Sequence, residues 1–176
     1  LHLFDDVPEG ARPRAIARAV TCVQHRAVPP EMRETAFRVL HSAFPFGPNK
    51  RHICHRDECP CGKGHAETVE HTFEKCERSW RVWELVLAQW RLVTGETKVT
   101  TDHGRITLLG DRSCTWATEA DEAEWAGLEE PWAILHKVTL HVLLEERNRE
   151  TRRRALARDA RRRSCITKYK VLRNAL

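Results

Sequence analysis

The sequence predicts an all-α fold, and three observations in its 176 residues support this prediction. Apolar residues recur every three or four positions over most of the chain, which is the period of an amphipathic helix. Cysteine and histidine cluster in the one long segment that lacks this period. Arginine is concentrated near the C-terminal end. We therefore expect a helical domain over residues 1–146 and a basic helical arm over residues 147–176.

Two helices are predicted before the cysteine-rich segment. The apolar positions of the first are Ile16, Val20, Val23 and Ala27. Their steps of four, three and four place them on one helical face. Pro29 and Pro30 end this helix and begin the next, because proline suits a first helical turn but not a helix interior. The apolar positions of the second helix are Met32, Ala36, Phe37, Leu40 and Phe44.

A third helix is predicted after the cysteine-rich segment by the clearest apolar pattern in the chain. Its positions are Phe73, Cys76, Trp80, Trp83, Leu87 and Trp90. Steps of three and four alternate along it, which is typical of a heptad-like seam. Gly95 predicts the end of this helix. Residues 105–110 then predict a short strand or an extended segment packed on the core.

The last long helix is predicted to continue into the arginine-rich arm. Its apolar positions are Trp125, Leu128, Trp132, Leu135, Val138 or Thr139, and Val142. Pro131 fits a turn or a first-turn position of this helix. His136 and His141 lie in the same apolar stretch, and we interpret them as core or boundary residues rather than metal ligands.

Positive charge is concentrated in the arm. Residues 147–173 contain twelve Lys and Arg against two Asp and Glu, so they carry +10 in a chain whose net charge is +5, and the remainder carries −5. A basic segment on a near-neutral body is typical of nucleic-acid binding, and a solvated helix gives the same composition. We expect broad contact of the arm with RNA or DNA, because its two arginine triplets repeat one helical face only imperfectly. The arginines expected to contact phosphate are Arg152, Arg153, Arg154, Arg158, Arg161, Arg162 and Arg163.

Cysteine usage and hydropathy exclude several classes of protein. The seven cysteines are an odd number, and no signal peptide opens the chain, which argues against a disulfide framework. We therefore expect an intracellular protein, cytoplasmic or nuclear. The longest apolar run, residues 138–144, is far shorter than the ~20 residues of a membrane helix, so we expect no membrane partner.

Four of the seven cysteines fall within the 23 residues from Cys54 to Cys76, most of which belong to the segment without helical periodicity at 49–69. A loop of this length needs a source of order other than apolar packing, and a bound metal ion would supply it. Thiolate and imidazole are the ligands that tetrahedral zinc prefers. Cys59 and Cys61 offer two thiolates. His71 and Cys76 follow at the start of the third helix and can reach one ion if its first turn is slightly irregular.

We therefore expect a structural zinc ion in a zinc loop at about residues 52–76. Its predicted ligands are Cys59, Cys61, His71 and Cys76. Four protein ligands leave no open position for a catalytic water. The pair Cys54 and Cys59 could replace Cys59 and Cys61, and His65 is a further spare donor. The predicted fold is thus a helical domain with a zinc-stapled loop and a basic arm.

This segment resembles the zinc-binding region that lies C-terminal to the polymerase in non-LTR retrotransposon reverse transcriptases. The residues that carry the resemblance are Cys59, Cys61, Gly62, Glu67, Thr68, His71, Phe73, Cys76, Val82 and Trp83. The match covers about residues 50–95, and the family usually shows Cys-x-x-Cys where this chain has Cys-x-Cys. The resemblance implies a module that holds element RNA or target DNA beside a polymerase. The polymerase portion of the same polyprotein is then a further partner.

No catalytic motif accompanies this resemblance. The chain has neither a Gly-x-x-x-x-Gly-Lys-Ser/Thr loop nor a Gly-x-Ser-x-Gly elbow, and we expect a module that is not itself an enzyme. Two alternatives stay open. One is a zinc-scaffolded protein–protein interaction module that uses the acidic segment 113–130 and the Trp-rich helix. The other is the remnant of a reverse transcriptase/endonuclease polyprotein, with Asp121, Glu122, Glu124, Glu129, Glu130 and Lys137 as its candidate residues.

Overall fold

The computed structural model describes residues 7, 9–44, 46, 58–95, 107, 108, 110 and 127–174, without the side chains of 18, 22 and 162–174. This part of the chain is all-α, as predicted. A short 3-10 turn spans Glu9–Ala11 and a π-helical turn spans His71–Lys75. The described residues contain no strand, and their one isolated antiparallel bridge joins Glu58 to Ala66. None of the helices in these ranges is long and apolar enough to cross a membrane.

Four α-helices make up the described fold. They are α1 (Arg12–Val23), α2 (Pro30–Leu40), α3 (Glu77–Thr94) and α4 (Glu129–Asn174). Helix α3 ends at Gly95, whose φ of 72° lies in the left-handed region that glycine adopts without a Cβ penalty. Pro131 lies in the first turn of α4, as predicted. Helix α4 is 46 residues long and runs without a break from the core into the arginine-rich segment.

The main core lies where α4 packs against α1, α2 and α3. Trp83 of α3 is fully buried, and its indole N–H donates to the Phe73 carbonyl at 2.7 Å, which joins α3 to the π-helical turn. A second cluster contains Leu87, Trp90 and Trp132, where the two indole rings meet edge to face at 5.3 Å. The core therefore uses two of the three tryptophans of the predicted α3 seam, Trp83 and Trp90.

The segment at 105–110 contributes Leu108, which is buried in the main core. Its predicted packing on the core is therefore confirmed for this residue. Residues 107 and 108 lie in a wide helical turn rather than in a strand. The carbonyl of Gly110 accepts a hydrogen bond from the Trp132 indole at 2.9 Å, which holds the segment against α4.

The apolar faces of α1 and α2 differ in detail from the predicted ones. In α1 the buried residues include Ala15 and Ala19, whereas Ile16 is 41% exposed. A repeat of 3.6 residues does not distinguish two adjacent stripes of one helix, and small alanines allow closer helix packing than isoleucine. Ala27 lies beyond the end of α1 and is exposed. In α2 the ring of Phe37 is also largely exposed.

In α3 the predicted burial of Trp80 is wrong, because 36% of this residue is exposed. Ser79 takes the buried position, and its hydroxyl donates to the carbonyl of Thr72. The chain is extended at Cys76, with ψ 131°, so the helix begins only at Glu77. Ser79 and Trp80 both lie about one turn before Trp83 in this unbroken helix, so the 3.6-residue repeat does not distinguish which of them is buried.

Helix α4 turns a mixed face toward the core. Its buried residues are Trp132, Ala133, His136, Lys137, Thr139, Leu140, Leu143 and Glu150. His136 is a core residue, as predicted. Its Nε2 lies 2.9 Å from the Thr107 carbonyl and its Nδ1 lies 3.0 Å from Lys137 Nζ. Because the carbonyl can only accept, the Nε2–H of His136 donates to it, and Nδ1 accepts a hydrogen bond from the amino group of Lys137. The predicted burial of Val142 is wrong, because this side chain is largely exposed.

Candidate metal centre

The first two cysteines are positioned by a chain reversal over residues 58–66. The Cys59 N–H donates to the His65 carbonyl at 2.8 Å, which closes the reversal. Gly62 has a φ of 83°, a left-handed conformation that favours glycine at this turn. The backbone N–H of Cys61 points at the sulfur of Cys59, 3.4 Å away. Both sulfur atoms therefore lie on the same side of the turn.

The other two candidate ligands are brought together by the π-helical turn. Thr68 caps the start of this helical segment, because its hydroxyl accepts the His71 N–H at 3.0 Å. The Cys76 N–H then bonds to the His71 carbonyl at 2.7 Å, across five residues rather than four. This wider turn is the irregularity that the His71–Cys76 spacing predicts. It places an imidazole and a thiol on the same side just before α3 begins.

The four predicted ligands converge. One ligand atom from each of Cys59, Cys61, His71 and Cys76 lies within 4.8 Å of the other three, which is close enough to hold one metal ion. The Cys61 Sγ and the His71 Nε2 are 3.7 Å apart. Bonds of about 2.3 Å to sulfur and about 2.0 Å to nitrogen give an edge of about 3.6 Å in a tetrahedral zinc site. This separation is therefore compatible with zinc.

The sequence offers two further possible ligands, Cys54 and His65, besides the four predicted ones. Cys54 lies outside the described residues. The ring of His65 lies 5.0 Å from the ring of His71, centroid to centroid, and its side chain is exposed. Among the residues that the structure describes, the metal group is therefore the predicted four.

The thiols of Cys59 and Cys76 differ in how readily they ionise. The pKa of Cys76 is lowered, chiefly by a hydrogen bond from the Cys59 thiol, and the backbone N–H groups of Arg78 and Ser79 add to this effect. The same hydrogen bond raises the pKa of Cys59, and burial adds to the increase. Cys76, at the N-terminus of α3, is therefore the thiolate of this pair, and a bound metal ion would displace the proton from Cys59.

A buried ion pair attaches the metal loop, residues 58–68, to helix α4. Glu67 is fully buried, and its two carboxylate oxygens accept hydrogen bonds from Nε and Nη2 of Arg147, each at 2.7 Å. The guanidinium of Arg147 also lies 4.6 Å from the ring centroid of Phe46. This bidentate pair joins residues 80 positions apart in the chain, and our sequence analysis missed it. The spacing of Arg147 after Leu140 and Leu143 was the available sign, because it continues the buried face of α4.

A second carboxylate organises the first arginines of the arm. Glu150 accepts hydrogen bonds from Arg153 at 2.8 Å and from Arg154 at 2.7 Å, and Arg78 lies 3.9 Å away. The hydrogen bonds from Arg153 and Arg154 lower the pKa of Glu150 to about 2. Only 10% of the Glu150 side chain is exposed. Glu150 therefore stays ionised and fixes two guanidinium groups of the arm.

A cavity of about 150 Å³ separates the metal group from α4. Cys59, Cys61 and Cys76 line one side, and Arg147 and Glu150 line the other. The buried Thr72 hydroxyl is also part of the wall, and within the described part of the chain it has no hydrogen-bond partner. Most of the accessible wall is apolar, and the Thr72 hydroxyl, Arg147 and Glu150 are among the polar groups that border this space.

The predicted nucleic-acid-binding arginines lie on the outer part of α4. Arg152, Arg153, Arg158 and Arg161 are exposed. Arg154 is half-buried against the metal loop, because a Cβ added to Gly62 would lie 3.0 Å from its Nη2. The side chains of Arg162 and Arg163 are not among those that the structure describes. Steps of four and three place Arg154, Arg158 and Arg161 on one face, so the described charge is more ordered than our sequence analysis predicts.

No protein-family model, curated protein or solved structure matches the chain. The similarity to a retrotransposon zinc-binding region therefore depends on the motif residues alone. The fold and site define an all-α protein with a Cys₃His group able to hold a metal ion, packed beside a long arginine-rich helix.

Proposed function

We propose that the chain is a nucleic-acid-binding module in which a structural zinc ion orders the metal loop and helix α4 contacts the phosphates of RNA or DNA. The module has no catalytic step of its own. By its resemblance, it lies C-terminal to a retrotransposon reverse transcriptase and holds nucleic acid beside the polymerase. The observation that carries this proposal is the row of arginines on one face of α4, directly beyond the metal loop.

The donor set favours zinc as the ion. Three sulfurs and one imidazole nitrogen are the soft and borderline ligands of structural zinc sites, and all four come from the protein. Bound zinc would supply a cross-link between the chain reversal at 58–66 and the start of α3. The protein would hold the ion through Cys59, Cys61, His71 and Cys76, and Glu67 would hold the loop against α4.

The outer part of α4 favours nucleic acid as the partner. Arg154, Arg158 and Arg161 follow one another over about 10.5 Å at the helical rise of 1.5 Å per residue. Arg158 and Arg161 are exposed. Guanidinium groups bind phosphate oxygens in bidentate fashion, and such contacts give affinity with little sequence specificity.

The zinc proposal is tested by the metal content of protein purified without added metal. We expect one zinc ion per chain in the wild type and in Cys54→Ser. We expect the ion to be lost in Cys59→Ser and in Cys61→Ser. Loss in Cys54→Ser with retention in Cys61→Ser would contradict the predicted ligand set, and a wild type without zinc would contradict the ion itself.

The nucleic-acid proposal is tested by the salt dependence of binding to RNA and DNA oligonucleotides of the same sequence. Contact with about five phosphates of duplex DNA predicts a slope of about −4.5 for the logarithm of the association constant against the logarithm of salt concentration. Fluorescence anisotropy between 50 and 200 mM salt, roughly the range where this effect is large, measures the slope. Binding that does not change with salt would contradict the proposal.

A protein-interaction module is the second candidate, and the outer face of α3 favours it. Leu85, Leu92 and Val93 are each more than two-thirds exposed. The buried Trp83 and Trp90 are not available to a partner, so these aliphatic residues would form the contact. This candidate predicts that the chain does not bind the oligonucleotides. The salt titration that tests the main proposal therefore distinguishes the two candidates.

The endonuclease-remnant alternative has less support. Lys137, one of its candidate residues, is fully buried beside His136 and is not accessible to DNA. Glu129 and Glu130 are exposed at the start of α4. The remaining candidates, at 121–124, lie outside the described residues. Divalent-ion-dependent nicking of DNA by the purified chain would restore this alternative.

A further inference from the structure

We infer that one face of α4 carries a discrete phosphate-binding pocket rather than a diffuse positive surface. The residues that line it are Arg153, Arg154, Ala157, Arg158 and Arg161. This inference deepens the proposed function and rests on it, because it names the chemical group that the nucleic acid would place there. It assigns the phosphate contact to the arginines that line the pocket and not to the other arginines of α4.

The geometry of a helix separates two sets of arginines. Successive residues are 100° apart around the axis, so Arg154, Arg158 and Arg161 lie within about 60° of one another. Arg153 borders this face. Arg152, which is also exposed, lies about 160° or more from Arg154 and Arg161. The pocket is therefore confined to one side of α4, and Arg152 provides a control with the same charge on the other side.

The middle of the pocket has room for an anion. Ala157 lies between the arginines and contributes only a methyl group, and the open groove that they line has a volume of about 350 Å³. Asp159 lies about 100° or more from each arginine of the central row and is not among the lining residues. Four guanidinium groups thus face one space, and the nearest carboxylate, Glu150, already binds two of them.

Contacts within the protein restrain these side chains before any ligand binds. Arg153 and Arg154 are held by Glu150, and Arg154 also lies against Gly62 of the metal loop. The Nε of Arg158 donates to the Arg154 carbonyl at 3.2 Å. Side chains that are already oriented lose less conformational entropy on binding, which favours a defined site.

The chemistry of the pocket selects phosphate. A phosphate group presents several oxygens in three dimensions and can accept hydrogen bonds from three or four guanidinium groups together, whereas a carboxylate presents two oxygens in a plane. In a nucleic acid this chemistry has two sources. One is a phosphomonoester at the end of a strand, and the other is a pair of neighbouring phosphodiesters within it.

Calorimetric titration of the zinc-loaded full chain with inorganic pyrophosphate tests the pocket directly. We expect Arg158→Gln and Arg161→Gln each to weaken pyrophosphate binding by about tenfold or more, as loss of a charged hydrogen bond does. We expect Arg152→Gln to weaken it by less than about twofold, because only the net charge changes. Equal losses in all three variants, or no pyrophosphate binding by the wild type, would overturn the inference.

Oligonucleotide binding by the same variants distinguishes failure of the pocket from failure of the proposed function. If pyrophosphate binds through Arg158 and Arg161 but oligonucleotides do not bind, the pocket stands and the proposed function fails. If oligonucleotides bind and respond equally to all three substitutions, the proposed function stands and the pocket fails.

A comparison of one oligonucleotide with a 5′-phosphate and with a 5′-hydroxyl identifies the source of the phosphate. Tighter binding of the 5′-phosphorylated strand, lost in Arg161→Gln, supports the pocket and assigns it to a strand end. Equal binding of the two strands, weakened in Arg161→Gln but not in Arg152→Gln, supports the pocket and assigns it to internal phosphates. A 5′-phosphate preference that is unchanged in Arg158→Gln and Arg161→Gln would overturn it.

Discussion

The inner half of helix α4 (residues 129–150) and its outer half (residues 151–174, with side chains described as far as 161) use the same helical face for different purposes. In the inner half this face buries Leu140 and Leu143 and ends at the pair formed by Arg147 with the metal loop. In the outer half the same spacing continues through Arg161, in solvent. The fold therefore depends on the inner half, and the outer arginines are available to a ligand. Stability and binding should be separable by substitution along one helix.

The largest effect is expected from Cys76→Ser, which removes the ligand at the start of α3. Structural zinc contributes about 10–16 kcal/mol in small zinc-binding peptides, so loss of the ion should unfold the metal loop and loosen the first turns of α3. Zinc content and melting temperature should both fall, whereas Cys165→Ser, at a cysteine outside the four predicted ligands, should leave the zinc content unchanged. A Cys76→Ser protein with normal zinc content and melting temperature would show that the inner half does not need the metal group.

The next effect is expected from Glu67→Gln, which leaves the buried guanidinium of Arg147 without a charged partner. Breaking a buried ion pair costs about 3–5 kcal/mol of unfolding free energy. The matched control is Glu34→Gln, because its partner Arg38 lies on the surface of α2 and both side chains are about half exposed. That control should cost about 0.5 kcal/mol or less. Urea denaturation of both variants measures the difference, and equal costs would contradict a structural role for the pair.

Truncation of one leucine in each half sharpens the comparison. Leu140→Ala creates a cavity in the main core and should cost about 2–5 kcal/mol. Leu156 is 71% exposed, so Leu156→Ala should cost about 0.5 kcal/mol or less. The substitution and the helix are the same, and only the half differs. If the two variants have the same denaturation midpoint, the outer half is part of a packed structure.

The smallest effect concerns the boundary between the halves, where Glu150 holds Arg153 and Arg154. Its pKa is lowered from 4.5 to about 2 in the folded protein, so its contribution to stability is complete above the unfolded pKa. This contribution is lost as the pH falls from about 4.5 to about 2. In Glu150→Gln this part of the acid-induced loss of stability should be absent, because glutamine does not titrate. Thermal melting from pH 6 to pH 2.5, roughly the window in which this group titrates, measures both proteins.

Local patterns predicted the helices and the metal group because both depend on short-range spacing. The proline and glycine positions predicted the start of α2 and the end of α3. The four ligands lie within 18 residues, so their spacing alone indicated that they could converge. The irregular turn between His71 and Cys76 was also predictable, because five residues do not fit one regular helical turn.

Contacts between distant residues could not be predicted in the same way. Nothing in the local sequence pairs Glu67 with Arg147, because the pair forms only when α4 packs beside the metal loop. The burial of Ser79 rather than Trp80 depends on the hydrogen bond of Ser79 to the distant Thr72 carbonyl, because both residues lie about one turn before Trp83 in the same helix. The ordered arginine face was missed for a different reason. The nine-residue spacing compares the two arginine triplets as blocks, whereas the steps of four and three lead from Arg154 through the isolated Arg158 to Arg161.

The separation of 80 positions between Glu67 and Arg147 imposes an order on how the protein is assembled. The four candidate ligands lie within residues 59–76, so they leave the ribosome close together, before helix α4 is complete. Their attachment to α4 must wait for residue 147, because domains are synthesised from the N-terminus and a contact this distant closes late. Capture of a metal ion by these ligands would therefore precede the final anchoring of the loop.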